Sequence, residues 1–411
     1  MNFPSVALRI LSCLPSVVVS SSPGLISSPA TPCEEISCRL VLSTDLSVED
    51  RWTHTAAEER PQIAEASEVV KGQLFTAYVF FTHYAPDGKG KASLRYDIRI
   101  TKPDGSSYHE QKDVDGHIGP AGDGKDVLLA RELLHVSFDP PDPMGKYTVT
   151  VVVHDENNDT AASETQAIKL VEDIHGDSFS SAEEIEKWVT QYFESPHPER
   201  AIAALTSLED LTAKEKEKGD EDDEETDESG LTAARSFFHE VFEANPWLYP
   251  RLIAGYGKYE PSGRKAALEV LSRAHCDTKD LVTSLDKDDS RLWKQFSARP
   301  PRDPLSDPIT DPSHLDALRG MFLATGKFAP IYRLCEALAP EETGAVPDQA
   351  YSPKKDEPES SLRPFIHGLA EWSIESNAEQ HPLVKSYCEW ILSQEKIPKA
   401  VRRELKKALD S

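Results

Sequence analysis

At Ile174-His175-Gly176-Asp177 the apolar residues of this chain change their period. Upstream, between positions 40 and 171, they recur at every second residue, the spacing of a half-buried strand. Downstream they recur at three and four residues, the spacing of one face of an α-helix. The chain therefore reads as a β part followed by an α part. Its 411 residues are enough for two or three folding units at roughly 150 residues each.

In the first part, segments 74–81, 93–101, 127–138, 146–154 and 165–171 are rich in Val, Ile, Tyr and Phe and read as strands. Asp87-Gly88 and Pro103-Asp104-Gly105 supply turn chemistry between them. No helical pattern interrupts the series, which predicts an antiparallel β-sandwich of about seven strands over 39–173. Gly116 to Gly124 carries four glycines without the Lys and Ser/Thr of a phosphate loop, and reads as a flexible connection. Asp142-Pro143-Met144-Gly145-Lys146-Tyr147, just before the strand 148–153, resembles the tyrosine corner of immunoglobulin-like domains, so Asp142, Gly145 and Tyr147 are expected to form a structural corner. Val149 stands where an antibody domain carries its second Cys, and no Trp marks the third strand. The resemblance is to the wider immunoglobulin-like architecture, held by apolar packing.

From 178 to 411 the helical faces follow one another. Ser180, Ser181, Glu183 and Glu184 offer a capping box before the face of Ile185, Trp188, Val189, Tyr192 and Phe193. Further faces are Ala234, Phe238, Val241 and Phe242; Leu248, Leu252 and Tyr256; Leu315, Leu318 and Phe322; Phe328, Ile331, Cys335 and Leu338; and Phe365, Ile366, Leu369 and Trp372. Short helices with such stripes must bury them against neighbours, which predicts a helical repeat-like, HEAT-like or irregular solenoid domain, with a compact bundle as the alternative. Aromatic stripes of this kind are expected in the core, although Trp247, Tyr249 and Tyr256, crowded beside Pro246 and Pro250, leave room for one ring at a groove. Segment 214–229 holds ten acidic residues and three Lys and is expected as a disordered acidic loop: a solvated spacer, or else a contact for a basic partner or weakly held Ca²⁺. Five prolines in 299–312 predict an extended connector, and the polar stretch 341–359 reads the same way. At the C-terminus Ile397, Val401, Leu405, Ala408 and Leu409 form a stripe among many Lys and Arg, read as a cap on the last helical layer rather than a membrane-surface helix.

Residues 1–30 differ from the rest. Arg9 is the only charge before Glu34, 10–19 is largely apolar, and a Ser/Pro tract follows. This predicts a secretory signal peptide cut near Ser22 or after Ala30, with a disordered leader as the alternative. Ile10-Leu11-Ser12-Cys13 loosely resembles a lipobox, but the apolar run before Cys13 is short for lipidation. In an exported protein Cys33 and Cys38 are close enough to bridge. Cys276, Cys335 and Cys388 fall within helical patterns and are expected as small buried hydrophobes. A formal charge of −26 argues against nucleic-acid partners, and no apolar run reaches the ~18 residues of a spanning helix.

Val69-Val70-Lys71-Gly72-Gln73, Lys102-Pro103-Asp104-Gly105-Ser106 and the Asp142–Tyr147 segment together resemble uncharacterised exported bacterial proteins with an immunoglobulin-like domain. Phe322-Leu323-Ala324-Thr325-Gly326-Lys327-Phe328 and Ala370-Glu371-Trp372-Ser373-Ile374-Glu375-Ser376-Asn377-Ala378 resemble a helical domain of uncharacterised bacterial proteins. These resemblances imply a bacterial, periplasmic or secreted setting and carry no activity.

Candidate chemistry is sparse. Asp155-Glu156-Asn157-Asn158-Asp159 alternates oxygen ligands, but Thr160 replaces the Gly of an EF-hand loop, so an ordinary turn is expected. His239-Glu240 begins like a zincin motif, yet Glu243 stands where the second His belongs, leaving a surface pair on a helix. There is no GxSxG elbow and no CxxC. No catalytic, cofactor or metal residue is assigned, and no cofactor is expected. The chain reads as a non-catalytic binding or scaffolding protein of the cell envelope with a protein or envelope-component partner. The alternative is an envelope hydrolase whose site lies at the junction of the β and α parts.

Overall fold

The computed structural model describes residues 35–56, 60, 62–121, 126–216, 228–299, 303–338 and 359–410. They hold nine strands and thirteen α-helices, so sheets and helices are both present. The strands come first: β1 Ser37–Ser43, β2 Glu68–Val69, β3 Leu74–Thr82, β4 Lys91–Thr101, β5 Ser107–Pro120, β6 Leu128–Leu129, β7 Leu134–Ser137, β8 Gly145–Asp155 and β9 Thr160–Leu170. One sheet sets β3 between β1 and the two short strands β6 and β7. The other runs β2-β9-β8-β4-β5, with β2 parallel to β9 and every other pair antiparallel. Period-two burial does the packing: Leu94, Tyr96, Ile98 and Ile100 of β4 and Tyr147, Val149, Val151 and Val153 of β8 share one core with Leu40, Leu42, Phe75, Val79 and Phe81 of the first sheet.

Three expectations need correction. The Gly-rich connection begins inside β5, where Ile118 and Gly119 pair with β4 and Gly116 sits at a shift of register between Leu94 and Arg95. Gly116 is needed for closeness: a Cβ there would sit 2.8 Å from both the Leu94 carbonyl oxygen and the Phe81 ring. Residues 122–125 lie outside those described. The segment 127–138 is two short strands rather than one. The β part also contains a helix, α1 Val48–Thr53, too short for its period to register.

Tyr147 is buried at the start of β8, and its hydroxyl donates to the Pro143 carbonyl oxygen at 2.9 Å. The Asp142 carboxylate turns elsewhere, accepting from the Asp139 N–H at 2.8 Å and the Tyr108 hydroxyl at 3.0 Å. Gly145 has φ 132°, a conformation that favours glycine. The acidic run after β8 is a tight turn in which buried Asp155 accepts from the N–H groups of Ala85 and Asn157 at 2.6 and 3.0 Å.

The helices follow: α2 Ala182–Gln191, α3 Ala201–Lys216, α4 Glu228–Ala244, α5 Leu248–Gly255, α6 Pro261–Leu271, α7 Lys279–Ser284, α8 Lys287–Ser297, α9 Pro312–Thr325, α10 Phe328–Glu336, α11 Glu359–Gln380, α12 Pro382–Ser393 and α13 Lys399–Asp410. Ser181 caps α2 by accepting from the Glu184 N–H at 3.1 Å, and the Glu184 carboxylate reaches back to Ser180 rather than to Ser181. Trp247, Tyr249 and Tyr256 are all buried. α13 buries Val401, Leu405 and Ala408, and Lys407 pairs with Glu371 of α11 at 2.9 Å.

On α11 the expected face is rotated. Ile366, Ala370 and Ile374 are buried, while Phe365 and Trp372 are 55% and 60% exposed. Cys276 lies between α6 and α7 rather than in a helix. Most of the acidic stretch, 217–227, and most of the polar stretch, 341–358, lie outside the described residues, but 214–216 continue α3, 228–229 open α4 and 359 opens α11. The proline-rich connector is not extended throughout: Asp303 turns the chain, its N–H bonding Asp307 at 3.1 Å and its carboxylate accepting from the Leu305 N–H at 3.0 Å.

Gly116→Ala is expected to cost about 2–3 kcal/mol, because the neighbours at 2.8 Å include backbone that cannot yield. Tyr147→Phe is expected to cost about 1 kcal/mol for one lost hydrogen bond. Urea denaturation midpoints check both; an unchanged midpoint for Tyr147→Phe would mean that its hydroxyl exchanges the Pro143 carbonyl for water without loss.

Candidate functional site

β3 is buried on both faces. Phe75, Ala77, Val79 and Phe81 point to the core between the sheets, while Tyr78 and Phe80 pack with Val41 and Val48 beneath α1. The other side of α1 meets the helices, making it the junction between the two parts. Asp45 and Arg51 form a buried ion pair there. The Asp45 carboxylate also accepts from the N–H and hydroxyl of Ser47 at 2.9 and 2.7 Å, and its carbonyl accepts from Tyr78 Oη at 2.7 Å. Arg51 Nη1 reaches across to the Phe193 carbonyl oxygen, just past α2, at 3.2 Å.

One turn on, Asp50 and His54 meet the turn between α9 and α10. Gly326 ends α9 at φ 62°, packed against Phe193 and Arg51, and its carbonyl accepts from Tyr387 Oη at 2.6 Å. The next helix is capped from outside: Asp50 Oδ2 accepts the Phe328 N–H at 2.6 Å, which also complements the positive end of α10. The His54 ring stacks on Phe328 at 4.1 Å and 5° and meets the edge of Trp390 at 4.8 Å. Its Nδ1 lies 3.4 Å from Asp50 Oδ1. Burial acts to raise the Asp50 carboxyl, but hydrogen bonds from His54 and the Phe328 N–H outweigh it and hold the group below its ordinary range. Burial acts to lower His54, and its bonds to Asp50 outweigh that, so the imidazole is raised. A His beside an Asp at the junction is the pattern expected of a hydrolase. Here, however, the carboxylate caps a helix and the ring is stacked and edge-packed by aromatic side chains.

A pocket among the described residues lies elsewhere, between α3, α4 and α6. It spans about 620 Å³, including space open to solvent. Leu205, Leu208, Phe238 and Val270 line its floor, and Arg235, His239, Lys265 and Arg273 stand with Glu209 and Glu269 around them. Lys265 pairs with Glu209 at 3.2 Å, and Glu269 with Arg235 at 3.2 Å and Arg299 at 3.5 Å. Arg273 has no carboxylate partner among the described residues, leaving an excess of positive charge. His239 is not a surface residue as expected but half-buried; burial, with Arg273 and His275 nearby, lowers its pKa and favours the neutral ring. Glu240 is also half-buried, raised by burial, and does not line this pocket.

Sequence reasoning assigned none of these residues. The signals were present: Ser47-Val48-Glu49-Asp50 has the spacing of a helix start, and Lys265, Glu269 and Arg273 recur every four residues along α6 and just past its end. Of the residues singled out in advance, Cys33 lies outside the described residues. Cys38 is half-buried on β1, its thiol pushed up to about 11 by burial and by Glu164. No group of three or more His, Cys, Asp or Glu able to hold a metal occurs among the described residues, and no described helix is long and apolar enough to cross a membrane.

No family model and no curated protein matches this chain. Among solved structures, a family 123 glycoside hydrolase from Clostridium perfringens superposes with TM-score 0.20 and 6% identity over 37% of this chain. The match spans about a third, 32%, of that structure's own length. A family 76 glycoside hydrolase from a bovine Bacteroides thetaiotaomicron strain gives TM-score 0.17 and 12% identity over 84% of this chain and 76% of that one. Both scores are too low to transfer a fold or an activity.

Arg51→Ala is expected to destabilise the protein by about 3–5 kcal/mol by stranding the buried Asp45 charge, and Asp45→Asn with Arg51→Met to recover most of that loss, both read from urea midpoints. The two histidines give opposite pH dependences. The contribution of His54, raised in the folded state, is complete below about 6.5 and lost as pH climbs through its folded value. His381, lowered to about 4 by burial and by Arg319, contributes fully above 6.5 and loses its contribution as pH falls toward 4. In stability measured across pH, His54→Gln should flatten the alkaline decline and His381→Gln the acid decline.

Proposed function

We propose that this chain is a non-catalytic binding or scaffolding protein of the bacterial cell envelope, exported by its N-terminal segment. One observation carries the reading: the ionisable groups where the two parts meet, Asp45, Asp50, Arg51 and His54, are engaged in bonds that hold the parts together. A general acid or base needs a lone pair or proton facing the substrate, and here Asp50 Oδ2 takes the Phe328 N–H while Oδ1 faces His54. Binding chemistry is available instead in the α3/α4/α6 pocket, whose apolar floor and cationic rim suit a partner group with an apolar body and an anionic end.

The finer architecture belongs to the same proposal. The β part is taken as immunoglobulin-like, supported by the β2-β9-β8-β4-β5 order with its parallel outer pair and by the Tyr147 hydroxyl bond to Pro143. The α part is taken as an irregular HEAT-like array closed by α13. Envelope hydrolysis is the second reading, favoured by the adjacency of Asp50 and His54 at the junction.

Crosslinking in the native envelope followed by mass spectrometry tests the proposal. A reproducible protein or glycan partner is expected, with capture reduced at least tenfold by Arg273→Glu at unchanged helicity. Turnover of a cell-wall fragment that is abolished by His54→Gln would replace binding with hydrolysis.

A further inference from the structure

Two charged groups of the α3/α4/α6 pocket lack the partner their chemistry calls for, and both stand on α6 or just past its end. Lys265 is taken by Glu209 and Arg235 by Glu269 Oε2, each pair at 3.2 Å. Arg273, by contrast, is exposed and has no carboxylate partner among the described residues. Glu269 Oε1 is buried and accepts no hydrogen bond; the Arg299 guanidinium, 3.5 Å away, is an ion pair only. A buried acceptor without a donor carries its desolvation cost uncompensated, so this oxygen marks a place for a donor from outside the chain. Positions 269 and 273 are about one helical turn apart, roughly 5–6 Å, which sets an open acceptor beside an open cation. Ala266 and Val270, each next to this charged row in sequence, line the pocket with Leu205 and Leu208 of α3 and Phe238 of α4.

We propose that this pocket binds the C-terminal residue of a partner polypeptide, one that ends in an apolar side chain. The terminal carboxylate forks onto the Arg273 guanidinium, the backbone N–H of the same residue donates to Glu269 Oε1, and its side chain lies on the apolar floor. Arg235 and Arg299, each nearly half exposed, are the side chains that shift to admit the N–H. Other occupants fit less well. A phosphoryl dianion brings a second charge that no unpaired cation answers, with Glu209 and Glu269 close by. A free acid lacks a donor for Glu269, and a sugar has hydroxyls for which the apolar floor offers no partner. The pocket opens to solvent, which leaves the rest of the partner chain a way out. The inference rests on the pocket reading proposed above and adds the partner's chemistry, a chain end rather than an internal segment.

The full chain is titrated against the peptide Gly-Ser-Gly-Ser-Phe, labelled with fluorescein at its N-terminus and ending in a free carboxylate, and binding is read by anisotropy. The same peptide as its C-terminal amide should bind about tenfold more weakly, for one lost charge-assisted contact. An ester in place of the last amide link, which removes the N–H facing Glu269, should weaken binding about fivefold. Ser in place of the terminal Phe should weaken it about tenfold. Arg273→Gln, at unchanged helicity, should bring acid and amide to equal affinity. Equal binding of acid and amide by the unaltered protein overturns the proposal. Displacement of the label by phenylpropionate as readily as by the unlabelled peptide also overturns it, making the ligand a free acid. The same holds for equal displacement by an amidated peptide of sequence 217–227, which would mean that the rim reads charge alone. Envelope capture that depends on Arg273, alongside equal binding of acid and amide, refutes the chain-end inference and leaves the envelope partner standing. Chain-end binding alongside capture indifferent to Arg273→Glu refutes the envelope partner and leaves the chain-end site.

Discussion

The buried pair of Asp45 and Arg51 is the point on which the two parts of the molecule turn. Removing two charges from water costs several kcal/mol each, and their mutual attraction offsets that only when the remaining lone pairs and protons are also satisfied. Here the extra bonds come from separate places: Ser47 at the start of α1, Tyr78 of β3, and the Phe193 carbonyl beyond α2. Rotating the helices away from the sheets would take the Phe193 carbonyl from Arg51 and the Phe328 N–H from Asp50 together. The junction is therefore a packed interface with polar groups specific to one arrangement, unlike a flexible linker.

That arrangement explains why the junction is a poor place for chemistry. Asp50 caps α10, His54 stacks on Phe328, and Tyr387 bonds the carbonyl of Gly326. Each polar group is committed to holding a turn or a helix end. The α3/α4/α6 pocket differs because its cations stand at a rim over apolar side chains, with one more positive than negative side chain when His239 is neutral. In a protein of charge −26 a local cationic rim attracts a different class of group from the rest of the surface.

Several features were legible because they are local. Alternation located β4 and β8, and Ser181 with Glu184 marked the start of α2. Other features were partly legible. The uninterrupted run of β3 signals a strand covered on both faces, which implies a helix over it, yet α1 has only six residues and its period does not show. β5 escaped because its burial barely alternates and its glycines resemble loop chemistry, whereas Gly116 is there to let the sheets approach. On α11 the spacing of Phe365, Ile366, Leu369 and Trp372 fits a helix but does not say which side has a neighbour; packing put Ile366 inward and Phe365 and Trp372 outward.

The sequence by itself determined that strands precede helices and where the exchange occurs, because the period of a strand and of a helix is a property of the backbone over a few residues. It also determined the net charge and the thiols destined for apolar stripes. Tertiary structure alone decided that Asp50 would cap a helix 278 residues away, that Arg51 would seek the Phe193 carbonyl, and that Tyr387 would bond the Gly326 carbonyl. Such pairings have no period. They follow from which surfaces remain to be buried once the local elements have formed, and that depends on the whole chain at once.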